Sequence, residues 1–475
     1  MRETKQAPRL HRSIWYMGAK SRLIPGFLER VLAEELPPGG TFVDLMCGSG
    51  VVSSWCAGMY RVISNDVQGY SAVIARSLIG HSPGTRDDFL AALDAEADLG
   101  TSFDRNYKLL AGYYEEALAE EAAFLDAYEK GRADEDWADR YREYLQLAAV
   151  LFPGAKRESI SGPYESAAPL LFSEEIERRR RDPGLRPACL ATTYYANVYF
   201  GLRQSLQIDS LRAAIEDIDT SDPYRELKQT HYLSALLHAA SVSTSGTSHF
   251  AQPRHLGKNS ELEAMARRRL TDIYGSLREY SAAIAQTVRE TSFTEGNEVF
   301  NADYRQLLDS EGGFRFTPGR DGLFYLDPPY TADNYSRFYH VLEVITRYDY
   351  PELKRGKGGE LLRGRYPVLS QRFRSDFCSP AKVEDEFRRV LKGASCCGAK
   401  LVISYSSPTG LLLKEYSGQG YAEPLERFGA LCGEFYEKVE IRRRPMMHSG
   451  QGDSNIEIDE LLVVCSEPYS RNRAG

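Results

Sequence analysis

The stretch Thr41-Phe-Val-Asp-Leu-Met-Cys-Gly-Ser-Gly50 contains a short β-like run and the glycine turn that ends it. A helical segment follows, and then a second short strand, Arg61-Val-Ile-Ser64, ends just before the acid Asp66. A strand, a glycine turn, a helix, a strand and an acid in this order begin a doubly wound nucleotide-binding sheet. Gly48 and Gly50 allow the backbone to approach a ligand closely, and Asp66 can accept hydrogen bonds from ribose hydroxyls. We therefore predict an α/β protein that binds a nucleotide-like ligand.

The stretch Leu323-Phe-Tyr-Leu-Asp-Pro-Pro-Tyr330 is typical of a buried strand with a rigid polar end. Its prolines fix φ and donate no N–H, so nearby carbonyls stay free to accept hydrogen bonds. The amine of adenine is a poor nucleophile because its lone pair is delocalised into the ring. Asp327 and the Pro328 carbonyl can accept both amine hydrogens, while Tyr330 stacks on the ring. We predict that Asp327, Pro328, Pro329 and Tyr330 are catalytic; a strand-end turn with two prolines is the alternative.

Bulk composition indicates a globular protein of two or three domains, since 475 residues exceed a single ordinary core. The N-terminus has no apolar region typical of a signal peptide, and no apolar stretch reaches the roughly 18 residues of a membrane span. We expect a cytoplasmic protein. The eight cysteines show no C-x-x-C spacing, so free thiols and no metal site are expected.

Charge is distributed unevenly along the chain, whose net charge is −8. Residues 86–140 contain sixteen acidic and six basic residues, which favours a solvated scaffold or a partner surface. Residues 351–375 contain seven basic and two acidic residues, a composition that suits phosphate binding. A purely electrostatic nucleic-acid binder is disfavoured, but a local phosphate-binding surface is compatible with the sequence.

Strand patterns are nearly missing between residues 79 and 292, where amphipathic helices are predicted at 107–128 and 259–290 and a further helix at 191–218. Residues 241–254 are rich in hydroxyls and predict a loop or short hairpin outside the core. Further strands are predicted at 298–303, 400–405, 436–441 and 460–465, the last two as an antiparallel pair. We predict three parts: residues 1–80 and 296–475 form a catalytic domain, and residues 81–295 form a helical insertion.

The motifs occur in the order found in a known family. They are Tyr16-Met-Gly-Ala-Lys20, Phe42 to Gly50, Asn65-Asp66, Asp303-Tyr304, Asp327 to Tyr330, and a C-terminal hairpin from Arg442 to Val464. This set resembles the DNA adenine methylases of the Dam-like, alpha-group amino-methyltransferases. The helical insertion and the segment 331–399 are longer than in the smallest family members, which leaves the target sequence open.

The resemblance implies an α/β, Rossmann-like sheet of an S-adenosylmethionine-dependent methyltransferase. A large, mostly helical target-recognition insertion interrupts this sheet. It also implies methyl transfer from S-adenosylmethionine to the N6 amine of a flipped adenine in double-stranded DNA. The enzyme would act in a restriction–modification or defence system and would associate with the nucleoid when bound to DNA. A restriction endonuclease or defence-system partner and a monomeric state are expected. The donor-binding residues implied are Tyr16, Lys20, Asp44, Gly48, Gly50, Asp66 and Asp303. Lys20 would lie near the donor's carboxylate or in the active site, and Asp303 would hold the donor's adenine amine.

Target recognition is then expected in the insertion and in the basic stretch after the catalytic motif. Amides and arginines can pair with bases, and hydroxyls and lysines with phosphates. The alternatives are an ordinary loop and a solvated charged face. The candidates for DNA contact are Asn197, Arg203, Ser243, Thr244, Ser245, Gln252, Arg337, Lys354, Arg355 and Arg365.

Other functions remain possible from the sequence. The same geometry would serve the N4 amine of cytosine, an RNA base or a protein amide, although relatives acting on cytosine more often carry Ser than Asp at position 327. A DNA-binding regulator with a decayed catalytic core is disfavoured by the intact Asp327, Tyr330, Gly48 and Gly50. A dinucleotide-dependent oxidoreductase is disfavoured because the third glycine of that fingerprint is missing.

Overall fold

The computed structural model describes residues 13–14, 20–82, 84–94, 98–147, 174–247, 249–309, 313–315, 318, 322–359, 361–449 and 455–469. These residues form one seven-stranded sheet covered on both faces by helices. The strands are β1 (Thr41–Asp44), β2 (Arg61–Asn65), β3 (Glu298–Phe300), β4 (Gly322–Leu326), β5 (Lys400–Ser407), β6 (Tyr436–Ser449) and β7 (Asn455–Pro468).

The strand order is β3-β2-β1-β4-β5-β7-β6. The first five strands are parallel, β7 runs antiparallel to β5, and β6 and β7 form a long antiparallel hairpin at the edge. The order reverses between β1 and β4, as in doubly wound sheets. The predicted α/β fold class, a Rossmann-like methyltransferase sheet with a helical insertion, is confirmed, as is the terminal antiparallel pair.

Eighteen α-helices are described, and their lengths range from four to nineteen residues. They are α1 (Glu29–Glu35), α2 (Val51–Cys56), α3 (Gly69–Ile79), α4 (Arg86–Asp94), α5 (Asp98–Tyr113), α6 (Glu115–Glu129), α7 (Trp137–Leu147), α8 (Glu174–Arg181), α9 (Leu190–Tyr195), α10 (Leu202–Glu216), α11 (Arg225–Ser243), α12 (Asn259–Arg269), α13 (Ile273–Glu290), α14 (Tyr335–Phe338), α15 (His340–Arg347), α16 (Val383–Cys396), α17 (Leu411–Gly418) and α18 (Pro424–Gly433).

Two hydrophobic cores lie on the two faces of the sheet, because successive side chains of a strand point to opposite faces. Phe42 and Leu323 belong to the core that contains α1, α2, α3 and most of the helical insertion. Val43 and Phe324 belong to the core formed with α16, α17 and α18. All five residues of β4 are buried, which explains its continuous apolar sequence.

The helical insertion lies between β2 and β3 in the chain and shares its core with the sheet. Within it, α11 packs against α3 and α13, and α15 packs against both α3 and α11. A separate small core joins α6, α7 and α12 around Trp137 and Met265. The division at residues 81 and 295 stays a prediction, since one hydrophobic core continues across it.

The three predicted long helices of the insertion are wrong in their continuity, because each is interrupted in the structure. The pairs that replace them are α5 with α6, α9 with α10, and α12 with α13. Asn197 adopts φ +57° between α9 and α10. Asp272 caps α13 by accepting a hydrogen bond from the Gly275 N–H at 2.7 Å. Apolar periodicity continues across such caps and turns, so it does not reveal them.

The described residues of the segment 241–254 begin with the last turn of α11 and continue as irregular backbone, not as a hairpin. The prediction that they lie outside the core is wrong, because Ser245 and Phe250 are buried. Ser245 Oγ donates a hydrogen bond to the Tyr199 carbonyl at 2.9 Å. Such bonds satisfy the polar groups of an irregular segment and allow it to be buried.

Within the described part of the chain, no helix combines the length and apolar character that crossing a membrane requires.

Candidate active site

The carboxyl ends of β1, β2 and β4 open into one cleft of about 1070 Å³, including its opening to solvent. The cleft lies where the strand order reverses, the position at which open α/β sheets bind ligands. The predicted residues that line it are Lys20, Asp44, Gly48, Asp66, Asp303, Asp327, Pro328, Pro329 and Tyr330. Tyr16 lies outside the described residues. The structure thus brings most predicted donor-binding and catalytic residues together, although their roles stay predictions.

The glycine turn after β1 connects directly to the acid after β2. Gly48 and Gly50 have φ +51° and +69°, a backbone conformation that side chains rarely adopt. The Gly48 N–H donates to Asp66 Oδ2 at 2.8 Å, and the Gln68 N–H donates to Asp66 Oδ1 at 2.8 Å. Burial raises the pKa of Asp66 to about 6, against the lowering effect of these hydrogen bonds. At neutral pH Asp66 is therefore an ionised acceptor facing the cleft.

Asp44 lies at the end of β1 and is fully buried. Its Oδ2 accepts a hydrogen bond from Ser53 Oγ at 2.7 Å, whereas Oδ1 has no partner among the described residues. Burial raises the pKa of Asp44 to about 7, and the nearby carboxylates of Asp327 and Asp66 raise it further against the Ser53 bond. Three acids at one end of the sheet favour a ligand that is positively charged and can donate hydrogen bonds.

Asp303 is held by its own loop. It caps the turn Tyr304–Leu307 by accepting from the Arg305 N–H at 3.0 Å. The Arg305 guanidinium donates to both Asp303 oxygens and also to Asp376 Oδ2, at 2.9 Å. The carboxylate is thus fixed at the cleft wall, with Arg305 as a charged neighbour.

The catalytic motif follows β4, and its first residue forms an ion pair with a buried lysine. Lys20 Nζ lies 3.1 Å from Asp327 Oδ1 and 3.9 Å from Glu460 Oε2, and Lys20 is only 3% exposed. Burial raises the pKa of Asp327, and the Lys20 charge and the Tyr330 hydroxyl oppose that rise. Asp327 Oδ2 accepts no hydrogen bond from the described residues, so it remains for an incoming donor.

Tyr330 is the centre of this polar network. Its hydroxyl donates to Asp327 Oδ1 at 2.8 Å, lies 3.2 Å from Ser404 Oγ, and receives a hydrogen bond from Lys20. Lys20 Nζ is 4.4 Å from the centre of the Tyr330 ring, and Tyr405 packs edge-on at 5.4 Å. The ring is thereby fixed in orientation at the cleft; its stacking on a base stays a prediction.

Two further residues of the network, Ser404 and Glu460, were missed from the sequence. Glu460 Oε2 lies 3.5 Å from the Tyr330 hydroxyl, and Glu460 is 7% exposed. Both are polar residues within otherwise apolar strands, β5 and β7. Glu460 shares the alternation of the buried Leu462 and Val464, and a charge at an inward strand position is the signal that could have identified it.

The hydroxyl-rich candidates for DNA contact are buried. Ser243, Thr244 and Ser245 are 0%, 5% and 0% exposed. The Ser245 N–H donates to the Tyr199 carbonyl at 2.7 Å, as its hydroxyl does. These side chains stabilise the insertion, and their burial does not support contact with DNA.

Three other candidates also lie within the protein. Asn197 Oδ1 accepts from Arg269 at 2.7 Å. Arg203 Nη2 donates to the carbonyls of Arg269 and Leu270, at 3.1 Å each. Arg365 is 2% exposed. The first two hold the turns between insertion helices, so the structure gives them an internal role.

The remaining candidates, Gln252, Arg337, Lys354 and Arg355, are exposed. Arg355 donates to the Gly359 carbonyl at 2.9 Å within its own loop. Exposure leaves all four side chains available to a macromolecular ligand, and their contact with DNA stays a prediction.

Comparison with known proteins gives a family match at the N-terminal part of the chain. Residues 16–157 match the model of D12 class N6 adenine-specific DNA methyltransferase. Modification methylase LlaI of Lactococcus lactis subsp. lactis is 23% identical over 377 residues, which is 79% of this chain and 44% of that protein. Type II methyltransferase M.FokI of Planomicrobium okeanokoites is 26% identical over 219 residues, 46% of this chain and 28% of that protein.

A further relative, modification methylase StsI of Streptococcus sanguinis, is 22% identical over 318 residues, 65% of this chain and 40% of that protein. The chain thus spans less than half the length of the curated relatives described here. Together with the motif order and the sheet, these matches confirm that the chain resembles the D12 class N6 adenine-specific DNA methyltransferases.

Proposed function

We propose that this chain transfers a methyl group from S-adenosylmethionine to the N6 amine of adenine in duplex DNA. The single observation that carries the proposal is the geometry of the cleft. Asp327 and Tyr330 at the end of β4 face the same space as the glycine turn and Asp66 at the ends of β1 and β2. A donor and an amine can therefore meet between them.

The residues of the cleft fit the proposed donor. Asp66 suits ribose hydroxyls, because its two carboxylate oxygens have lone pairs beyond those that accept from the Gly48 and Gln68 N–H groups. The unpartnered Oδ1 of Asp44 and the surrounding carboxylates suit a cation. S-adenosylmethionine supplies an electrophilic methyl group on a positively charged sulfur. Asp303 would hold the donor's adenine amine, and Lys20, which lies on Asp327, would act in the active site.

The catalytic motif supplies two hydrogen-bond acceptors for the target amine. Asp327 Oδ2 and the Pro328 carbonyl accept no hydrogen bond from the described residues. Accepting both amine hydrogens localises the nitrogen lone pair for attack on the methyl carbon. Lys20 and Tyr330 contact Asp327 at Oδ1 and favour its ionised form, so the carboxylate is oriented before the base arrives. The proton leaves the amine after methyl transfer.

The target base must leave the duplex to reach this partly buried carboxylate, at an unstacking cost of a few kcal/mol. Stacking on Tyr330 would offset part of this, since base–aromatic stacking is worth roughly 1–3 kcal/mol. We further propose a role in restriction–modification, because two relatives are named modification methylases. A restriction endonuclease or defence-system partner stays a prediction.

The test is methylation of a plasmid in a host that lacks adenine methylation, read base by base by modification-sensitive sequencing. We expect methyladenine in one sequence context with the wild type and none with Asp327→Ala. The control is Asp385→Ala, an exposed aspartate in the first turn of α16, which should methylate like the wild type. Methylation of cytosine, or of no DNA base by a protein that binds the donor, would refute the proposal.

A further inference from the structure

Two arginines lie against one tyrosine ring beside the cleft. The guanidinium carbons of Arg337 and Arg372 are 5.3 and 5.8 Å from the centre of the Tyr366 ring. Tyr366 is itself anchored, because its hydroxyl donates to the Ala251 carbonyl. Two cations are thus held close together by parts of the chain 35 residues apart in sequence.

Neither arginine forms an ion pair with a carboxylate of the described residues. By contrast, the nearby Arg347 pairs with Asp349 at 2.5 Å, and Arg305 pairs with two aspartates. Arg372 Nε is buried without a hydrogen-bond partner. The two guanidinium groups thus have no carboxylate partner among the described residues, and the Nε–H of Arg372 has no acceptor there. Such a pair can bind an anion from solution.

The electrostatic effect of the pair extends to its neighbours. Burial lowers the pKa of Arg372, and the charge of Arg337 lowers it further. Burial also lowers the pKa of His340 to about 4; hydrogen bonds to backbone carbonyls oppose this shift, and the charges of both arginines add to it. The local field is therefore positive, although the chain as a whole is acidic.

The two arginines lie next to residues of the cleft wall. Ser336 and Phe373, the sequence neighbours of the two arginines, line the catalytic cleft. A flipped nucleotide stays attached to the DNA backbone, so a base that enters the cleft brings its flanking phosphates to the rim. Guanidinium groups bind phosphates by paired, charge-assisted hydrogen bonds.

We propose that Arg337 and Arg372 together form a phosphodiester-binding site for the DNA strand that carries the flipped base. This inference rests on the proposed function and adds to it where the target strand crosses the protein. The contact carries no sequence information; it fixes the strand so that the flipped base reaches Asp327.

The first test is the salt dependence of duplex binding by fluorescence anisotropy between 50 and 200 mM salt. Each phosphate contact contributes about 0.9 to the slope of log K against log[salt]. Affinity decreases over this fourfold increase in salt. Loss of one phosphate contact should therefore make that decrease about threefold smaller, and Arg337→Ala/Arg372→Ala should show at least this reduction. The control is Arg347→Ala, which removes an exposed arginine that is already ion-paired and should keep the wild-type slope.

Donor binding and thermal unfolding of the double variant show whether it folds, and Arg337→Ala alone provides a second variant at an exposed position. An unchanged slope in folded variants would overturn the phosphate site while leaving methylation by the wild type intact. Absence of DNA methylation by the wild type would instead refute the proposed function.

The second test locates the contact once the target sequence is known. Uncharged methylphosphonates replace single phosphates around the target adenine. We expect a loss of wild-type affinity at a phosphate adjoining the flipped nucleotide, and no such loss with Arg337→Ala/Arg372→Ala. Equal losses for both proteins at every position would contradict the assignment.

Discussion

Replacing Lys20 by methionine removes the buried cation between two carboxylates while keeping most of the side-chain volume. Lys20 Nζ lies 3.1 Å from Asp327 Oδ1 and 3.9 Å from Glu460 Oε2. Without it, both acids share one buried site with no compensating charge. Because a nearby positive charge favours the ionised carboxylate, the pKa of Asp327 must rise in the variant.

The distance sets the magnitude. At 3.1 Å and an effective dielectric constant of about 20, Coulomb's law gives about 5 kcal/mol. At about 1.4 kcal/mol per pKa unit this corresponds to about four units as an upper bound. Water that enters the vacated space screens the remaining charges, so we expect a rise of one to four units.

The assay is transfer of labelled methyl groups from S-adenosylmethionine to DNA under single-turnover conditions from pH 5 to 10. Ionised Asp327 is the active acceptor, so its higher pKa should move the acidic limb of the rate profile upward by at least one pH unit. At each pH on the acidic limb the rate should fall at least about tenfold, and it should recover in part at alkaline pH. Donor affinity, measured by calorimetry, separates this effect from loss of donor binding.

Lys400→Met is the matched control, since Lys400 forms a comparable ion pair with Glu35 at 2.9 Å. It should leave the position of the acidic limb unchanged. If Lys20→Met also kept the wild-type limb and rate, the reasoning that Lys20 holds Asp327 ionised would be refuted.

Three further changes test other parts of the cleft. In Asp66→Asn we expect weaker donor binding. Donor affinity of the wild type should decrease as pH falls through about 6, the pKa of Asp66, whereas that of the variant should not. The same decrease in the variant, measured by calorimetry, would contradict this. Tyr330→Phe loses the hydroxyl 2.8 Å from Asp327 but keeps the ring, so single-turnover rates should fall about tenfold or more while 2-aminopurine fluorescence still reports a flipped base; an unchanged rate would count against the network. Gly50→Ala should destabilise by about 1 kcal/mol in urea unfolding because Gly50 has φ +69°, whereas Gly433→Ala within α18 should not; equal effects would disprove the backbone argument.

Much of the sheet and one side of the cleft could be predicted from the sequence. Fully buried parallel strands appear as short apolar runs, which identified β1, β2 and β4. Their carboxyl ends meet at one edge of the sheet, so Asp44, Asp66 and Asp327 were expected together. These predictions depend on local sequence and on the rule that parallel strands end at the same edge of a sheet.

The other side of the cleft depends on contacts between distant parts of the chain. Lys20 and Asp327 are 307 residues apart, and the family resemblance left Lys20 near either the donor or the active site. Glu460 reaches Lys20 and Tyr330 because β7 runs antiparallel to β5 and pairs Glu460 with Ser406 near the end of β5. Strand register of this kind is not contained in apolar periodicity.

Target recognition was the least predictable part. Ser245 and Arg203 have the chemistry of DNA contacts, yet both form hydrogen bonds to the backbone inside the insertion. Side-chain chemistry alone does not distinguish a partner within the fold from a partner in solution. Arg337 was a candidate from the sequence, but its position with Arg372 against the Tyr366 ring became visible only in the structure.

The most direct test of the central claim is to identify the methylated nucleoside. Purified protein and a labelled methyl donor would modify duplex DNA, which is then digested to nucleosides and separated by chromatography. We expect the label to migrate with N6-methyldeoxyadenosine and to be lost with Asp327→Ala. Label in N4-methyldeoxycytidine, or an equal amount of label with Asp327→Ala, would contradict it.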